Sequence, residues 1–277
     1  MTTNTYTRRY RGPVKAVVFD LAGTIIDFGS CAPAGAFVEL FRRNNVHITL
    51  SQAREPMGLH KKDHIRTLLS MSDISEKWLE AHGKAWSEAD VEAKYREFIP
   101  IQIECLADYG HLIPGTLETE KALRSMGIKI GVTTGYNEEM MKIVLNCAKG
   151  QGFSPDAAVC ASRVSKGRPA PWMIFRIIEH LNIFPPEAVI NIGDTLPDIE
   201  AGLNAGVWTI GVVKTGNMIG LPKRKLARLN PEILEARMKQ AKEKMHRAGA
   251  HYVIDDISDA IRVLDLINHR LSLREIS

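Results

Sequence analysis

The chain has 277 residues, 45% of them hydrophobic and 25% charged, a balance that excludes a disordered or fibrous protein and predicts an ordinary globular one. Its formal charge of +4 is small for this length, so neither a nucleic-acid surface nor a membrane partner is expected, and no apolar run approaches the ~20 residues of a membrane span. Four scattered cysteines, Cys31, Cys105, Cys147 and Cys160, lack the spacing of a zinc site or a disulfide framework. The polar start of the chain, 1–13, has no secretory hydrophobic region, so the expected address is cytoplasmic.

Short runs rich in Val and Ile alternate with longer helical patterns, which predicts a doubly wound α/β fold around a parallel sheet. The first strand is expected over residues 15–21. From about Asp27 to Tyr109 no buried strand is apparent, whereas amphipathic helices are expected over 34–44, 61–71, 75–85 and 88–103. An all-helical cap inserted after the first strand accounts for this, dividing the chain into a core of 1–27 and 110–277 and a cap of 28–109. Links are expected near 28–33 and 108–115. Strands then follow over 129–134, 157–160, 189–193, 209–213 and 251–254, with helices over 117–126, 138–149, 171–181 and 198–205. The basic stretch 214–247, containing Lys223-Arg224-Lys225, lacks any recognition motif and reads as solvated helical surface.

Ligands of an open parallel sheet sit beyond the carboxyl ends of its strands, and three such ends carry reactive groups. Asp20 follows Val17-Val18-Phe19 and precedes a tight turn at Gly23-Thr24. Thr133-Thr134-Gly135-Tyr136 closes the second strand, and Gly193-Asp194-Thr195-Leu196-Pro197-Asp198 closes the fourth. Singly, each is also an ordinary helix cap or turn. Together they supply a carboxylate nucleophile, donors for phosphate oxygens, and further carboxylates for a hard cation, the parts that phosphoryl transfer needs. Magnesium suits such oxygen ligands. A cationic side chain should complete the site, and Arg168, fixed between Gly167 and Pro169, is favoured over its competitor Lys166.

These residues in this order resemble the haloacid dehalogenase superfamily, whose four motifs match at Asp20, Thr134, Arg168 and the Asp194 to Asp198 pair. One position departs from the phosphatases of that superfamily, where a second Asp two residues after the nucleophile protonates the leaving oxygen. Here it is Ala22. Either the protein is inactive, or its leaving group needs no proton from that position.

The predicted cap contains Met57-Gly58-Leu59-His60-Lys61-Lys62-Asp63-His64. A helix starting at Met57 places Met57, His60, Lys61 and His64 on one stripe and points Lys62 elsewhere. A basic solvated face is the plain reading, and zinc is disfavoured because His60 and His64 lack the Glu of an HExxH motif. A third reading is an imine-forming Lys61, its pKa lowered against apolar surface, with His64 moving protons near neutral pH. An imine would act as an electron sink and let a phosphorus to carbon bond break, which explains Ala22.

The pairing of Ala22 with Lys61 resembles the helically capped, phosphonate-cleaving branch of the superfamily. The resemblance implies hydrolysis of phosphonoacetaldehyde to acetaldehyde and phosphate, with Asp20 as nucleophile, Lys61 as Schiff-base former, and Thr134 and Arg168 assisting. It implies Met57, Gly135 and Tyr136 as substrate contacts, and Mg2+ held by Asp20, the Ala22 carbonyl and Asp194, with Asp198 as a further acidic partner. A homodimer through the cap and a role in phosphonate catabolism are implied as well. The alternatives are a phosphatase or phosphomutase of the same superfamily acting on a small phosphate ester, and a catalytically silent phosphate-binding protein.

Overall fold

The computed structural model of the chain describes residues 10–273. The start of the chain, 1–9, on which part of the expected address rested, lies outside them. Six parallel strands form one sheet: β1 (Ala16–Asp20), β2 (Lys129–Thr134), β3 (Ala157–Cys160), β4 (Val189–Gly193), β5 (Trp208–Val212) and β6 (Tyr252–Ile254), in the order β3-β2-β1-β4-β5-β6. The order reverses between β1 and β4, which opens a crevice at their carboxyl ends. Register fixes what meets there. Asp20 lies beside Thr133, and Phe19 beside Ile192, so the residues that follow β4 flank those that follow β1.

Between β1 and the helix α6 (Thr116–Ser125) the chain forms five helices: α1 (Cys31–Arg43), α2 (Leu50–Arg54), α3 (Lys61–Leu69), α4 (Ser72–His82) and α5 (Glu88–Leu106). The remaining core helices are α7 (Glu138–Gly150), α8 (Trp172–Leu181), α9 (Leu196–Ala205), α10 (Lys223–Leu226), α11 (Pro231–Arg247) and α12 (Ala260–Leu273). Polar residues set the starts of the inserted helices. Ser87 and Asp90 form a reciprocal capping box at α5, and Thr49 and Gln52 do the same at α2. The helix expected over 61–71 starts at Lys61, with the His60 ring accepting the Lys62 N–H at 3.3 Å, so the stripe that a start at Met57 would have drawn does not form. Gly58, at φ +96°, turns the chain just before it.

One apolar cluster runs from the sheet into the insertion. Phe19, Leu21, Ile25 and Ile26 share it with Phe37, Leu40 and Phe41 of α1, Ile65 and Leu68 of α3, Trp78 of α4, and Phe98 and Ile101 of α5. The α11 helix, by contrast, buries only Ala241 and Met245, as expected of a solvated basic segment. Among the described residues no helix is long and apolar enough to cross a membrane, and all four cysteines are free.

Phe98 is fully buried and stacks on Phe37 at 4.3 Å. Phe98→Ala is expected to cost about 3–5 kcal/mol in urea unfolding. Leu79→Ala, at a half-exposed position of α4, should stay within about 0.5 kcal/mol. Equal losses at the two positions would contradict the packing described.

Candidate active site

The turn after β1 is drawn tight by four bonds to its own backbone, one of them from the Thr24 amide to the Leu21 carbonyl at 3.3 Å. The amides of Ile25 and Ile26 donate to the Leu21 carbonyl at 3.0 Å, and the Gly23 amide donates to the Ile26 carbonyl at 2.7 Å. Gly23 sits at φ +88°, and a Cβ there would lie 2.2 Å from an Asp194 oxygen. Glycine is therefore what lets the loop after β1 and the β4 loop approach one another.

Arg168, 5% exposed, is the buried cation of the site. Its Nη1 lies 2.8 Å from Asp20 Oδ1 and 2.9 Å from Asp198 Oδ1, while Nη2 donates to the Thr133 hydroxyl at 2.7 Å and carbonyl at 3.1 Å. Burial works against its charge, but the carboxylates of Asp198 and Asp20 outweigh burial and keep the guanidinium protonated. Lys166, its competitor in the sequence, is exposed. Thr134 accepts the Tyr136 N–H on its hydroxyl oxygen at 3.2 Å, which leaves its own O–H to donate into the pocket.

Asp20, Asp194 and Asp198 bring carboxylate oxygens within 4.8 Å of one another. Their environments differ. Asp194 Oδ2 accepts the Asn217 N–H at 2.7 Å, whereas its Oδ1 is buried with no hydrogen-bond partner among the described residues. Burial, then the charges of Asp20 and Asp198, hold Asp194 well above the usual carboxylate range. Asp198 has both oxygens committed: Oδ1 faces Arg168, and Oδ2 accepts the Thr195 N–H at 3.1 Å and hydroxyl at 2.5 Å. Burial pushes Asp198 up to about 7. It does not line the pocket, and it joins the acidic trio while bonding Arg168 and Thr195. The orphaned Asp194 oxygen, the Asp20 carboxylate and the adjacent Ala22 form a hard-oxygen donor set that fits Mg2+.

The insertion closes over these groups. Gly58 and Lys61 line the same pocket as Asp20, Ala22, Thr134, Arg168 and Asp194, together with Met57, Gly135 and Tyr136. The contact is close: a Cβ on Gly58 would lie 2.2 Å from Thr195 Oγ1, and one on Gly135 2.7 Å from the Leu59 carbonyl. Lys61 is 4% exposed, with Nζ 5.2 Å from the centre of the Tyr136 ring and 5.5 Å from that of Phe37. Burial pulls its pKa down to about 8, against the opposing charge of Asp20. Lys62 points away and pairs with Glu92 of α5.

His64 departs from expectation. It lies outside the pocket lining, stacked on Phe37 at 3.7 Å, with Nε2 bonded to the Ala53 carbonyl at 2.9 Å. Burial, reinforced by the Lys61 charge, holds its pKa well below the usual imidazole value. A ring kept neutral and sealed off does not carry protons at neutral pH, so that reading is corrected to one of wedging Phe37 beside Lys61. Ser30 and Pro33 also line the pocket without having been singled out in the sequence, and Thr195 joins them from the motif after β4. Ser30 lies in the expected link after β1, at a left-handed φ of 47° that no local pattern announces.

A core of this strand order, with a carboxylate trio and a buried guanidinium at its switch point, defines the haloacid dehalogenase-like hydrolases, and the family model of that description matches residues 14–206. The chain is 42% identical over 266 residues to phosphonoacetaldehyde hydrolase of Nitratidesulfovibrio vulgaris, covering 96% of this chain and 95% of that one. It is 44% identical over 267 residues to the enzyme of the same name from Syntrophobacter fumaroxidans, covering 96% of each. The crystal structure of a phosphonoacetaldehyde hydrolase like protein from Oleispira antarctica matches with a TM-score of 0.96 at 40% identity over the whole of both chains. The chain belongs to this phosphonoacetaldehyde hydrolase family of the haloacid dehalogenase-like hydrolases, and is an enzyme.

An acidic pocket with an orphaned oxygen should gain stability from a cation. Mg2+ at a hundred times its dissociation constant is expected to add about 2.7 kcal/mol, read as a higher thermal midpoint. Asp194→Asn should remove that response. A wild-type midpoint indifferent to Mg2+ would overturn the metal assignment.

Proposed function

We propose that the protein hydrolyses the carbon to phosphorus bond of phosphonoacetaldehyde, giving acetaldehyde and phosphate. The observation that carries the reading is Lys61, buried over Asp20 in a pocket where position 22 is alanine. In this reading the insertion, 28–109, acts as the cap and delivers Lys61 to the core.

The neutral amine of Lys61 attacks the aldehyde carbon, and loss of water gives an imine. Asp20 attacks phosphorus in line with the carbon, whose bonding pair moves into the protonated imine and leaves as an enamine. Protonation at carbon and hydrolysis then release acetaldehyde and restore the amine, while water cleaves the phosphorylated Asp20. No oxygen leaving group forms, so the acid that Ala22 lacks is not required. Thr134 donates to the phosphoryl oxygens as charge develops there, and Arg168 adds fixed positive charge beside them. Bound between Asp20, the Ala22 carbonyl and Asp194, Mg2+ would supply positive charge to the phosphoryl group. Tyr136 and Phe37 wall the Lys61 amine, excluding water that would stabilise its charged form.

A phosphatase acting on a small ester is the competing reading, and the Ala22 position weighs against it. A homodimer through the cap belongs to the proposal too, as the resemblance of the sequence implies. The metabolic place is phosphonate breakdown in the cytoplasm.

Borohydride added with substrate should attach a two-carbon adduct to Lys61, found by peptide mapping. An adduct at Lys62, or rapid phosphate ester hydrolysis with no acetaldehyde from the phosphonate, would sink the assignment.

The pH dependence has a defined sign. The reactive neutral amine grows with pH until about 8 and then levels, so the single-turnover rate of imine formation should rise tenfold per unit below that point and flatten above it. Lys61 is held below its unfolded value of 10.5, so its charged form opposes folding at low pH. This penalty fades as pH climbs from about 8 to 10.5. A rate flat between pH 6 and 8 would contradict the role given to Lys61.

A further inference from the structure

Arg54, the last residue of α2, directs its guanidinium at neutral groups of the core boundary. Nη1 lies 2.8 Å from the Gly29 carbonyl, 3.0 Å from the Ser30 carbonyl and 3.0 Å from Asn217 Oδ1, and Nη2 approaches Cys31 Sγ at 3.7 Å. Asn217 returns the contact, its Nδ2 donating to the Arg54 carbonyl at 3.1 Å. Among the described residues no carboxylate stands within ion-pair distance of Arg54. The stem is cradled as well: a Cβ on Gly220 would lie 2.7 Å from Arg54 Nε, and Gly220 is at φ +64°.

The other side of Asn217 faces the acidic pocket. Its backbone N–H donates to Asp194 Oδ2 at 2.7 Å, leaving Oδ1 orphaned. Two residues earlier, the Thr215 hydroxyl donates to the Gly23 carbonyl at 2.8 Å, and the Thr215 carbonyl accepts the Gly29 N–H at 2.7 Å. The loop after β5 thus holds the nucleophile turn, the link into α1, the Asp194 carboxylate and the end of α2 at once. Arg54 and Asn217 are separated by 163 positions and meet only while α2 rests on that loop.

We propose that Arg54 and Asn217 are positioning residues that couple seating of the insertion to the orientation of the Asp194 carboxylate, so that the acidic pocket is complete only when Lys61 stands over it. The inference rests on the reading of Asp194 as a cation ligand and of 28–109 as a mobile cap. The reciprocal side-chain pair fixes the backbone of residue 217, and that backbone aims Asp194. When α2 lifts, the guanidinium loses its acceptor on Asn217, and the loop is freed to turn its N–H away.

The test needs no substrate. Mn2+ binding is followed by electron paramagnetic resonance, and the rate of reductive methylation of Lys61 by formaldehyde and cyanoborohydride is mapped against the exposed Lys166. Arg54→Ala and Asn217→Ala should each weaken Mn2+ binding about tenfold and speed Lys61 labelling about tenfold, the scale of one lost charge-assisted hydrogen bond. The double variant should match the stronger single, since both remove one interaction. Arg54→Lys keeps the charge without the fork and should behave like Arg54→Ala. Lower melting midpoints with both readouts unmoved, effects that multiply in the double variant, or movement of only one readout would overturn the coupling. If wild-type protein binds no Mn2+, the metal reading falls and this inference with it, whereas normal binding in wild type and variants alike overturns the inference alone.

Discussion

A guanidinium sealed from water must be matched by carboxylates, and Arg168 is matched by Asp20 and Asp198. That requirement organises the site. It draws the end of β1 toward the start of α9, and the bonds from Arg168 to Thr133 bring in the end of β2. Asp198 spends its second oxygen on Thr195, which holds the β4 loop and sets Asp194 opposite Asp20. The three strand ends cannot drift apart without baring a charge. The third carboxylate, Asp194, is left over from this pairing, which is why the pocket suits one more cation on the core side and an amine on the other.

Two buried cations therefore face the same carboxylate with different chemistry. Arg168 delocalises its charge, has carboxylates at hydrogen-bond distance and stays protonated. Lys61 concentrates its charge on one nitrogen and meets aromatic rings, so burial dominates and its proton is loosely held. An arginine at position 61 could hold a phosphate but could not add to a carbonyl. The difference between a guanidinium that keeps its charge and an amine that holds its proton loosely follows from side-chain type and surroundings rather than from depth of burial.

The strand ends were legible because apolar runs that stop at Asp20, Thr134 and Asp194 leave few alternatives for where a parallel sheet presents them. The pairing of Ala22 with Lys61 was equally visible, as an absence beside a surplus. Other features lay beyond a linear reading. A stripe of three- and four-residue spacings fitted a helix from Met57, but the left-handed Gly58 breaks it, and only the seat against Thr195 requires that turn. His64 falls on the correct side of α3 yet behind Phe37, since periodicity gives a direction and not a depth. Asp198 occupies a position that serves a cation or a guanidinium equally well in sequence. Its hydrogen bonds decide. The five-residue α2 is too short for any periodic signal, and the partners of Arg54 come from 163 residues away.

The seat of Gly58 on Thr195 also bears on which molecules can react. Where glycine meets a hydroxyl so closely that a methyl group would collide, the seam acts as a gauge. On the proposed chemistry, a guest too long to be enclosed would keep the two backbones apart and leave the Lys61 amine short of Asp20. Selection by length would be exercised through failure to shut, not through a wall at the end of a pocket.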